Sequence, residues 1–99
     1  MIYLEDIFVT ITGTRHHFGS KLLIVGTVLK LLKEPDNPFD AHAISASLPA
    51  LGVVGYVANS PSMVIEGTSS ADEAYSLLND ITYCRIMFKT ESGIIGKIL

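Results

Sequence analysis

Three observations predict a mainly β protein, a small and strongly curved sheet or partly open barrel. Short runs alternate apolar and polar residues, glycine and proline separate the runs, and one helix is well signalled. The spacing between runs is too short for the crossover helix that parallel strands need, which disfavours a doubly wound α/β fold. The chain has 99 residues, the size of one domain, so residues 1–99 are expected to form a single unit. Such a chain buries somewhat over ~60% of its extended surface, enough for a core without a metal or disulfide staple.

From Asp6 to Thr12, Ile7, Val9 and Ile11 face one way and Phe8, Thr10 and Thr12 the other, which reads as a strand ended by Gly13. Leu22 to Leu32 is apolar on both faces and reads as a central strand, bent or bulged at Gly26. Gly26, Thr27 and Val28 argue against a helix there. Ala43 to Leu48 and Val53 to Ala58 are the next strands, with a turn over Pro49 to Gly52. Asn59 to Gly67 is irregular, although Met63, Val64 and Ile65 call for cover. Ser70 and Glu73 form a capping box, Asp72 and Glu73 suit the helix dipole, and Ala71, Ala74, Leu77 and Leu78 form an apolar stripe. Asn79 and Asp80 close that helix. Thr82, Cys84, Ile86 and Phe88 then alternate against Tyr83, Arg85, Met87 and Lys89, and Gly93 turns the chain into a last strand, Ile94 to Ile98.

The formal charge is −3, from seven basic and ten acidic side chains. No cluster of Lys or Arg gives direct support for the basic patch that holds duplex nucleic acid. The charged fraction of 17% lies below the usual ~25%, so part of the apolar surface is available to a protein partner or a second copy. Cys84 alone excludes an internal disulfide and a Cys-rich zinc site, and it reads as a core residue. Glu5 and Asp6 stand where a secretory leader would be basic and then apolar, and no run approaches the ~20 apolar residues of a membrane span. A cytoplasmic protein without a membrane association is expected.

The chemistry concentrates between Lys33 and Ile44. Pro35 and Pro38 remove two backbone donors and bias their neighbours away from helix, while Asp36, Asn37 and Asp40 can bond nearby N–H groups. A stiff loop follows, holding Phe39 and Asp40 at the surface. Phe39 is either a stacking platform or a lid packed on the core. His16, His17 and His42 with Asp36 or Asp40 are the residues a metal would use, but their spacing is no known ligand signature and adjacent histidines point apart. No metal and no cofactor is expected. Neither a nucleophile elbow, a Gly-rich phosphate loop nor a glycosidase-type acid pair is recognisable, so no enzyme is expected either.

Three segments carry a resemblance: Gly13-Thr14-Arg15-His16-His17-Phe18-Gly19, then Glu34-Pro35-Asp36-Asn37-Pro38-Phe39-Asp40-Ala41-His42-Ala43-Ile44, then Gly52-Val53-Val54-Gly55-Tyr56-Val57-Ala58. In order and spacing they resemble the HIRAN domain, over residues 6–66 most clearly, and the chain is similar to small free-standing bacterial members. The resemblance implies an OB-like barrel that is not an enzyme. It implies capture of the free 3′ end of single-stranded DNA, as in the domains appended to eukaryotic remodeller-type ATPases. It assigns Arg15 and His16, with His17 beside them, to the terminal nucleotides, Phe39 and Asp40 to the terminal sugar, and Tyr56 and Asn59 to the phosphates. Three departures stand out: His16 replaces a ring that is commonly tyrosine, Phe39 lacks the tyrosine hydroxyl, and Asn59 stands in the place of a lysine. A carboxylate at Asp40 would accept a hydrogen bond from a terminal hydroxyl and repel a continuing phosphodiester. It would equally cap the N–H of His42 or Ala43. Loss of DNA binding with retention of the fold, leaving a structural or protein-interaction module, is the alternative.

Overall fold

The computed structural model describes residues 6–14 and 20–99. Its strands are β1 (Phe8–Thr12), β2 (Val28–Lys33), β3 (Ile44–Leu48), β4 (Gly52–Val57), β5 (Ile81–Lys89) and β6 (Ile94–Ile98). They are hydrogen-bonded in the order β1-β4-β3-β2-β5-β6, and β6 returns to β1. All the pairings are antiparallel. The expected small OB-like barrel is there, and it is closed rather than partly open. The β1–β4 seam that closes it is short, joining Ile11 to Val57 and Thr12 to Tyr56. A Cβ on Gly55 would lie 2.6 Å from the Thr12 carbonyl oxygen, so glycine is what lets the two strands meet. Beyond the seam, the Ser69 N–H donates to the Phe8 carbonyl (2.7 Å) and takes up more of the β1 rim.

Alternation puts one face of each strand inside. Val9, Ile11, Leu29, Leu31, Cys84 and Ile86 are fully buried there, each large side chain contributing about 1.5–3 kcal/mol over its exposed state. Burial pushes the Cys84 thiol pKa up to about 12, so this cysteine remains a small apolar core group. On the outer face Thr10 is also buried, because the segment 60–68 folds over it. Its Oγ1 accepts from the Ile65 N–H (3.1 Å) and shares a hydrogen bond with Thr68 Oγ1 (2.7 Å). Val64 and Ile65 gain partial cover and Met63 stays exposed.

Helix α1 (Ala71–Leu77) begins as its cap requires, with Ser70 Oγ accepting from the Glu73 N–H and the Glu73 carboxylate accepting from the Ser70 N–H, both at 3.2 Å. Ala71 and Ala74 pack on the barrel. The helix reaches its C-cap at Leu78, just before Asn79 and Asp80.

Leu77, expected in the apolar stripe of the helix, is exposed, while Leu78 is buried. Two expectations about the strands are corrected as well. The run Leu22 to Leu32 is strand only from Val28, since Ser20–Leu22 form a 3-10 turn. The expected bulge is at Gly26, with φ +96: its N–H donates to the Ile86 carbonyl (2.7 Å) while the Ile86 N–H donates to the Thr27 carbonyl (2.8 Å). Glycine suits that left-handed conformation and ends the ladder there. Ahead of it Leu23 is buried, whereas Leu22, Ile24 and Val25 are exposed. The second correction is Phe88. The β5–β6 register shifts between Ile86 and Phe88, which turns Phe88 outward instead of leaving it in phase with Cys84 and Ile86.

Candidate functional site

The corner between β2 and β3 is held by its own polar side chains. Asn37 Oδ1 accepts from the N–H groups of Phe39 (2.9 Å) and Asp40 (3.1 Å). Asp40 Oδ1 accepts from the His42 N–H (2.8 Å), which is the cap its position allows. At the base, the Glu34 N–H donates to the Ala43 carbonyl (2.8 Å). Pro35 and Pro38 fix their own φ and leave no donor unsatisfied. The corner is therefore ordered without being covered.

Phe39 projects from it with 95% of its surface exposed. The lid alternative is thereby excluded. Phenylalanine is ordinarily buried, so a bare ring on a braced loop is the most informative side chain of this region. Phe39, Asp40 and Tyr56 line one recess of about 480 Å³, with Pro38 and Val57 among its walls. The loop brings two of these groups and β4 brings the third. The half-buried Tyr56 donates its hydroxyl to both oxygens of Glu34, at 3.1 and 3.2 Å. Burial, then the hydrogen bond to Glu34 and its charge, raise the Tyr56 pKa above the ordinary tyrosine value, so the hydroxyl is a donor at neutral pH.

Asn59 is engaged within the fold. Its Nδ2 lies 3.5 Å from Asp40 Oδ2, and its Oδ1 accepts from the Asp72 N–H (2.9 Å) in the first turn of α1. His42 Nδ1 is 2.9 Å from Asp72 Oδ1. The His42 ring lies against Tyr75, centroids 4.7 Å apart, and Lys33 Nζ sits 4.5 Å from the Tyr75 ring centre on its own. These contacts fasten the corner to the helix.

Arg15, His16 and His17 lie outside the described residues. The chain enters that stretch from Thr14, on the rim of a larger groove of about 760 Å³ that includes Thr12, Lys21, Lys89 and Gly93. Thr12 is the partner of Tyr56 across the seam, so groove and recess flank the same pair of strands. Among the described residues, no group of three or more His, Cys, Asp and Glu is placed to hold a metal ion. Nor is any described helix long and apolar enough to cross a membrane. Glu34 was not among the residues the sequence singled out. Its signal was the spacing to Asn37, which brings two polar side chains to the same side of a turn, and here Asn37 Nδ2 donates to Glu34 Oε1 at 2.9 Å.

A closed antiparallel barrel that shows a ring and a carboxylate from one loop is, in form, a small OB-like β-barrel domain. The family model of the HIRAN domain matches residues 4–74, more than half of the chain, and the chain belongs to that family. HIRAN domains are nucleic-acid-binding modules. No curated protein and no solved structure gives a significant match to the chain.

Proposed function

We propose that this chain is a non-catalytic module that captures the free 3′ hydroxyl end of single-stranded DNA in the recess between Phe39 and Tyr56. The observation that carries the reading is the nearly bare Phe39 ring on a braced loop, next to the Asp40 carboxylate. A terminal base stacked on such a ring gains about 1–3 kcal/mol without any sequence readout. Asp40 Oδ1 is committed to the His42 N–H. Among the described residues its Oδ2 has only a long contact with Asn59, and it is the oxygen to accept a terminal hydroxyl. The adjoining groove carries Lys21, with Glu91 also on its wall, and Lys21 supplies cationic charge for the rest of the strand.

The test compares a short single strand ending in a 3′ hydroxyl with the same strand ending in a 3′ phosphate, at low salt. The hydroxyl end is expected to bind more tightly, and equal affinities would overturn the reading. Asp40→Asn keeps an oxygen for the His42 N–H and removes the charge, so the preference is expected to disappear while the fold remains.

A second reading is a structural or protein-interaction module that kept the fold and gave up the ligand. It is favoured by Asn59, whose amide is tied to Asp40 and α1 rather than offered to a phosphate, and by the net charge of −3. A stable oligomer by light scattering, with no oligonucleotide binding at high micromolar concentration, would select it.

A further inference from the structure

Both walls of the recess hang on one side chain that does not itself line it. We infer that Glu34 is the positioning residue of this site: its carboxylate holds the Asn37 amide on one side and the Tyr56 hydroxyl on the other, and so sets the Phe39–Asp40 corner against Tyr56. The inference rests on the end-binding reading and names what makes that site selective.

The linkage can be followed atom by atom. Glu34 Oε1 accepts from Asn37 Nδ2 at 2.9 Å. With that nitrogen fixed, the amide plane directs Asn37 Oδ1 to the N–H groups of Phe39 and Asp40, at 2.9 and 3.1 Å. Those two bonds fix the backbone from which the ring and the acceptor carboxylate project. The same Glu34 carboxylate takes the Tyr56 hydroxyl, at 3.1 and 3.2 Å. Hydrogen bonds to an ionised acceptor are roughly twice as strong as neutral ones. The brace gathers two walls that arise from different elements, the corner after β2 and strand β4.

Two consequences follow. Tyr56 acts in the recess with its ring and not as a hydroxyl donor to a phosphate, because its proton is committed to Glu34. The gap between Phe39 and Tyr56 is also set jointly, so a change at Glu34 moves the ring and the Asp40 carboxylate together. Geometry of this kind sets discrimination between ends rather than attraction to a strand in general.

The test measures the affinities of Glu34→Gln, Tyr56→Phe and the double variant for the hydroxyl-ended and phosphate-ended strands. Glu34→Gln is expected to weaken the hydroxyl-ended strand about tenfold, the size of one lost charge-assisted bond, and to leave the phosphate-ended strand nearly unchanged. Tyr56→Phe is expected to lose less, since Asn37 keeps its partner. The double variant should be no weaker than Glu34→Gln alone, as expected for residues acting through one brace. A merely structural role would instead lower both affinities in proportion to the folded fraction. If Glu34→Gln does not fold, Glu34→Asp keeps the charge and shortens the reach, with the same expected loss. Preservation of the wild-type preference in the folded variant overturns the role of Glu34 and leaves the end-binding reading standing. A wild type with no preference overturns both.

Discussion

The corner from Glu34 to Ala43 and the segment from Ser20 to Thr27 flank the same strand, β2, and are built on opposite plans. In the corner, side chains satisfy the backbone: Asn37 and Asp40 take three N–H groups between them, and the one large apolar residue faces solvent. In the earlier segment the ordering bonds are mostly between backbone groups, from Ile24 to Leu22, Thr27 to Ile24 and Gly26 to Ile86. One apolar residue, Leu23, plugs the core. The difference separates two tasks. A segment held by a buried plug contributes stability, and a corner held by its own polar groups can leave a ring bare for a ligand without depending on the core.

Substitutions at the two places should part accordingly. Leu23→Ala removes a fully buried side chain and is expected to cost about 2–5 kcal/mol, read by denaturant unfolding, with end preference unchanged in the folded protein. A changed preference would break the separation. Gly26→Ala meets open space at the new Cβ, so its cost is the left-handed backbone alone, about 1–3 kcal/mol, again read as stability. Phe39→Ala is expected to change stability by less than about 0.5 kcal/mol, because almost nothing covers the ring. The same variant should lose the stacking contribution to strand binding. A large fall in its melting temperature would show the corner to be structural after all.

Much of the barrel was legible because its strands are half buried and period two reports that directly. Val9 with Ile11 of β1 and the reciprocal pair Ser70 and Glu73 at the start of α1 are cases where local pattern and tertiary role agree. The start of β2 was not legible, because a continuous apolar run does not say which members meet the core, and a bulge at Gly26 changes the phase. Phe88 was misplaced for a related reason: a register shift is a property of two strands, and alternation describes one. At the site, residue chemistry pointed to Phe39 and Asp40 and the family resemblance to Tyr56, and the three meet at one recess. Phe39 still left a lid in play, since apolar character alone favours burial. The roles of Glu34 and Asn59 were hidden, because each depends on partners distant in sequence: Tyr56 for Glu34, and Asp72 for Asn59.

Return of β6 to β1 gives each of the six strands a neighbour on either side. Among the described residues most outer main-chain donors and acceptors are then spent, the stretch of β4 ahead of Tyr56 that the short β1–β4 seam leaves out being the exception, so little template remains on which a further strand could be laid down. Association with itself or another protein is then left mainly to side chains on the wall or on the loops. The hazard of fibrous growth that attends open sheets is correspondingly low as long as the ring of strands stays intact.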